Sequence, residues 1–147
     1  MPAIEPTIRA ALPYRILSHT ADTGIEATAP TFAELVGELA RAMFALMATV
    51  DPCPADHHLT MTVPAAPREE LVVDALSELL YQAEVEDLIL CDIKVEEAED
   101  GSLRIEAAGV GTKEVELAGP PVKAVTYHAL MAEPRDDGWF GRVILDV

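Results

Sequence analysis

Positive charge is scarce in this sequence. Ten Lys and Arg stand against 26 Asp and Glu, a formal net charge of -16 over 147 residues. Proteins bind a phosphate backbone chiefly by bringing Lys and Arg to it and releasing its counterions, and a field this negative repels RNA or DNA at long range. Direct nucleic-acid binding is therefore not expected, whereas a basic protein partner would be attracted and oriented by the same field. An acidic surface also serves solubility with no partner at all. Aromatic residues are scarce, at 5%, so Leu, Val, Ile, Ala and Met must fill the core. Cysteine is limited to Cys53 and Cys91. They lie far apart and form no CxxC pair, which argues against a zinc knuckle or a redox motif and suits a reducing compartment. Long apolar runs are missing as well. No stretch reaches the length of a membrane span. Residues 1–12 lack the basic cluster and unbroken apolar stretch of a signal peptide, being interrupted by Pro2 and Pro6. A cytoplasmic protein with a flexible N-terminal segment is expected.

What is present is enough apolar material to fold. Apolar residues make up 50% of the chain against 24% charged, which excludes a disordered adapter, and the length fits one domain. Residues 13–18 and 24–29 read as two short strands. Thr31 and Glu34 have the spacing of a capping box, and Leu35, Leu39, Ala42, Met43 and Leu46 then recur at helical steps, placing a helix at about 32–48. Residues 59–63 alternate like a strand. A second apolar stripe, from Val72 to Ala83, marks a helix from 68 to about 84, with Glu69 and Glu70 at the positive end of its dipole. Strands follow at about 89–97 and 103–110 around the Glu99-Asp100-Gly101 turn. Residues 125–133 and 139–147 form a last pair around Asp136-Asp137-Gly138. This order predicts an α+β domain over residues 13–147, two helices packed on a largely antiparallel sheet or pair of sheets.

Few residues are staged for chemistry. Ser18, Ser77 and Ser102 have no nucleophile elbow around them and there is no glycine-rich phosphate loop. Gly109-Val110-Gly111 matches nothing specific, and His57-His58 reads as a solvated loop. Asp22 falls in the connection between the first two strands, where an Asp is ordinarily a turn residue. Asp146 lies at the end of the last strand, next to the carboxylate of Val147. If that strand end lies near residues 19–23, three hard oxygen donors converge, the donors that calcium, magnesium and manganese prefer. His19 and His128 have no thiol or second His at a zinc-ligand spacing. Lys123-Ala124-Val125-Thr126-Tyr127-His128 reads as a half-buried strand in which Lys123, Val125 and Tyr127 share one face.

Four blocks carry a family likeness. His19-Thr20-Ala21-Asp22 followed by Gly24-Ile25-Glu26-Ala27, the helix from Leu71 to Tyr81, Lys123 to His128, and Arg142-Val143-Ile144-Leu145-Asp146-Val147 resemble the archease family in order and spacing, from about residue 13 onward. The resemblance implies a non-enzymatic partner of an RtcB-type RNA ligase in tRNA splicing and RNA repair, promoting ligase guanylylation and multiple turnover. It implies a divalent metal held by Asp22 and Asp146, with calcium first and magnesium or manganese as alternatives. His19, Lys123, Tyr127 and His128 become the expected partner contacts. The chain departs from the family pattern at Ala75, where many relatives have an aromatic, and at Gly119-Pro120-Pro121, in place of a more polar lead-in. A generic chaperone-like binding module and a metal-dependent hydrolase are the competing readings.

Overall fold

Apolar and polar residues alternate across the start of the chain, and the first sheet is built from that alternation. The computed structural model describes residues 13–18 and 22–147; residues 1–12, read above as a flexible segment, lie outside that range, as do residues 19–21. Strand β1 (Tyr14–Ser18) pairs antiparallel with β2 (Asp22–Ala29), whose Ile25 and Ala27 are buried. Helix α1 (Phe32–Ala45) begins where the capping signal placed it. The Thr31 hydroxyl oxygen accepts the Glu34 N–H at 3.1 Å, satisfying one amide that the helix itself leaves unpaired. Leu35, Val36, Leu39, Ala40, Ala42 and Met43 have no exposed surface at all. A helix apolar on so many sides needs cover on more than one, and α1 has it from both sheets.

The second sheet has the order β3-β5-β4, from β3 (His57–Val63), β4 (Leu88–Glu97) and β5 (Leu103–Gly111). His57 and His58 belong to the exposed start of β3 rather than to a loop. The β4–β5 turn is held by Asp100, whose Oδ1 accepts both the N–H and the hydroxyl of Ser102. Helix α2 (Arg68–Glu86) buries the predicted stripe, including Ala75, and ends at Asp87 in the left-handed region, φ 54°. Both helices touch both sheets, and one continuous core runs through all of these elements. The expected α+β arrangement, two helices on a pair of antiparallel sheets, is what the chain adopts. No helix among the described residues is long and apolar enough to cross a membrane.

Two further expectations are corrected. Residues 125–133 are not one strand. Strand β6 is only Ala124–Val125, and β7 (Met131–Arg135) resumes pairing later, both against β8 (Gly138–Asp146). Val125 faces Leu145 and Met131 faces Arg142, so residues 126–130 bulge out over only positions 143 and 144. Thr126 accounts for the departure: its hydroxyl donates to the Ile144 carbonyl at 2.9 Å and accepts the His128 N–H at 3.3 Å, giving the backbone an alternative to the ladder. Ala129 then turns the chain at φ 51°. The two cysteines, read as suited to a reducing compartment, are joined: Cys53 and Cys91 form a disulfide with Cα atoms 5.7 Å apart. Cys91 sits at the register shift between Leu90 and Asp92 in β4, and the proline-rich segment before β3 carries Cys53 to it.

Candidate functional site

The first sheet ends where β2 begins and β8 finishes, and there Asp22 stands directly opposite Asp146 in the antiparallel register. Residues so paired project from the same face, with Cβ atoms about 4.5–5.5 Å apart. Ile25, Val143 and Leu145 of these strands are fully buried and point into the core. Asp22 and Asp146, out of phase with them, therefore lie on the outward face. Asp146 is exposed and Asp22 half-buried. Two carboxylates in this relation repel each other, and among the described residues no Lys, Arg or His side chain forms an ion pair with either.

Asp146 is held on both sides. Ala124 of β6 is its partner across the other edge of β8, and the Lys123 N–H donates to the Asp146 carbonyl at 2.7 Å. The two carboxylates thus sit on fixed backbone, an arrangement suited to a cation of defined position. Among the described residues, no group of three or more His, Cys, Asp or Glu side chains is disposed to hold a metal. Asp22 and Asp146 alone would supply two oxygen-donor side chains, a partial set for calcium, which takes 6–8 oxygens. Val147, the third expected donor, packs its side chain partly against the core.

The expected partner contacts cluster beside the pair. Lys123, Tyr127 and His128 are all exposed, Tyr127 at 60%, on the segment that enters and leaves β6. The break after Val125, not strand alternation, sets where Tyr127 and His128 lie. His19 lies outside the described residues.

Sequence reasoning missed the next feature along the same face. Glu26 is 5% exposed and gripped by two arginines. Arg15 Nε and Nη2 donate to one carboxylate oxygen at 3.1 and 2.5 Å, and Arg142 Nε and Nη2 to the other at 2.8 and 2.6 Å. Burial pushes this carboxyl up, but the hydrogen bonds and charges of Arg15 and Arg142 outweigh it and hold the group below the usual carboxylate range. A carboxylate depressed in the folded state contributes stability above its unfolded pKa, about 4.3, and loses it as pH falls through the folded value. Glu26→Gln should therefore cost about 1–3 kcal/mol at pH 7, less than for a wholly buried pair because both arginines reach water. The difference from the parent should shrink at pH 3, as urea unfolding at the two pH values will show; an equal difference at both would rule out an ionised Glu26 as the cause.

The archease protein family (MTH1598/TM1083) matches residues 14–147 of this chain. Protein archease of Methanosarcina acetivorans is 33% identical over 139 residues, covering 91% of this chain and 95% of that protein. Protein archease of Pyrococcus furiosus is 31% identical, over 88% and 94% of the two chains. Among solved structures, protein 1598 of Methanobacterium thermoautotrophicum superposes with a TM-score of 0.77 at 28% identity, over 92% of this chain and 99% of that one. A Thermotoga maritima protein described as an archease and possible chaperone gives a TM-score of 0.64 at 20% identity, over 89% and 94%, a likeness of fold. With the family's match running from the first described strand through the Asp146 end of β8, the chain belongs to the archease family.

Proposed function

We propose that this protein is a non-catalytic activator of an RtcB-type RNA ligase in tRNA splicing and RNA repair, promoting guanylylation of the ligase and sustaining multiple turnover. The observation that carries the reading is the register pairing of Asp22 with Asp146 on the outward face of the sheet. Calcium is the ion we assign to the pair, because it tolerates irregular oxygen coordination with positions left open, where magnesium demands a near-ideal octahedron. A divalent ion held by Asp22 and Asp146 would neutralise their two like charges. Lys123, Tyr127 and His128 supply the adjoining polar contacts to the ligase, and His19 is assigned as a further contact. The net charge of -16 supports a partner with a basic cleft, since opposite fields raise encounter rates and orient the approach.

A multiple-turnover RNA ligation assay with a purified RtcB-type ligase tests this. The protein should accelerate turnover, and calorimetric titration should detect calcium binding. No acceleration would sink the reading. The chaperone-like alternative draws on the exposed apolar side chains Tyr81, Val85, Leu117 and Tyr127. It predicts broad suppression of client aggregation that is indifferent to Asp22.

A further inference from the structure

A cavity of about 210 Å³ is joined to the carboxylate pair by one segment of chain. Phe44 from the last turn of α1, Met47 just beyond it, Leu80 from α2, Leu88 from β4, and Leu117 and Val122 contribute apolar walls. Val122 is followed directly by Lys123, whose N–H holds the Asp146 carbonyl. Cavity and acidic pair are thus anchored by one short segment.

The cavity is built rather than incidental. The Ala118 N–H donates to the Met47 carbonyl at 2.8 Å, fastening the loop of residues 115–121 to the end of α1. At Gly119 a Cβ would lie 2.6 Å from the Leu46 carbonyl oxygen, so glycine is what allows the loop to lie this close. Leu117 remains 55% exposed at the rim, and the acidic residues Glu84 and Asp87 also line the opening.

Volume and charge decide the occupant. Small-molecule and cofactor sites run to roughly 300–1,000 Å³, so this space is better matched to one or two aliphatic side chains. An apolar floor with acidic residues at its mouth complements an apolar residue flanked by Lys or Arg. We propose that the cavity receives an apolar anchor side chain from a basic segment of the ligase partner. The anchor seats the ligase beside Asp22 and Asp146. This inference rests on the activator reading and adds to it a second contact with a separate role, affinity rather than activation.

Leu117→Asp and Glu84→Lys alter the rim at exposed positions, and melting curves will show that both variants keep the fold. Calorimetry against the purified ligase, repeated across a salt series, is the measurement. Leu117→Asp should weaken binding about tenfold, and Glu84→Lys should weaken it with a shallower salt dependence. Both should regain full acceleration of ligation at saturating concentration. Asp146→Asn should do the opposite, binding nearly as well as the parent without accelerating turnover. If the parent accelerates ligation and both rim variants bind as tightly as it does, the cavity is not the anchor site although the activator reading stands. If the parent neither binds nor accelerates the ligase, the activator reading itself falls, and the occupant proposed here falls with it. Equal binding of unrelated apolar client proteins would also overturn the anchor.

Discussion

Asp22→Ala should return multiple-turnover ligation to the rate of the ligase alone while leaving the melting temperature within a few degrees of the parent. Asp146→Asn should do the same. The dissociation of function from stability follows from where the two carboxylates lie. Neither side chain is in the core, and like charges directly opposite each other in a sheet are a cost to folding that either substitution removes. Surface changes of this kind usually alter stability by no more than about 0.5 kcal/mol. Their effect on a bound ion is much larger, because each removes one of the two paired carboxylates. The asparagine variant keeps the size of the side chain and an oxygen, so its failure would trace to charge. Ligation kinetics and calcium calorimetry on the same samples provide the check. Full acceleration by either variant would remove the pair from the function.

Gly109→Ala should be severely damaging to this fold, costing about 3–5 kcal/mol or preventing folding. A Cβ there would lie 2.1 Å from the Ile89 carbonyl oxygen and 2.9 Å from the Ile89 carbonyl carbon and Leu90 Cα. All three are backbone atoms, which cannot rotate aside as a side chain can. The only relief is separation of β4 from β5 where the register is already shifted, between Leu90 and Asp92. Opening that ladder exposes Leu88, Ile89 and Leu90, all buried. A total stability of about 5–15 kcal/mol leaves little to absorb such a loss. Gly141→Ala is the comparison. Its Cβ would meet Leu39 Cδ1 at 3.0 Å and the Leu35 methyls at 3.1 and 3.2 Å. These are the ends of flexible side chains, and about 1 kcal/mol is expected. Urea midpoints for the pair should differ widely; equal midpoints would mean that β4 slides to make room.

Much of the fold was legible because local signals and tertiary structure agree. Thr31 with Glu34 marked the start of α1 to within a residue, the apolar stripes located both helices, and Asp136-Asp137-Gly138 located the last hairpin. What was not legible depended on partners remote in sequence. Glu26 reads as an ordinary outward residue of an alternating strand until Arg15 and Arg142 close over it from neighbouring strands. The break in residues 126–130 depends on Thr126 finding the Ile144 carbonyl, and nothing in a run of β-forming residues shows that a hydroxyl will compete with the ladder. Cys53 and Cys91 meet because a proline-rich segment crosses to an irregular strand, a path without periodicity. The metal candidates stand between these cases. Oxygen chemistry singled out Asp22 and Asp146, and family resemblance joined them. Only the register of β2 on β8 shows that they are neighbours.

Among the described residues, β2, β6 and β7 are all bonded to β8, and β8 follows every one of them in the sequence. During synthesis the β1–β2 hairpin and both helices emerge while the strand that completes the first sheet has yet to be made. Asp22 waits through both helices and the whole second sheet for the residue that faces it. Closure of the sheet and completion of the acidic pair are therefore one event, reached only after the second sheet has been made. A polypeptide that broke off before β8 would lose Asp146 and the closing strand together, leaving β2 with β1 as its one partner in the first sheet.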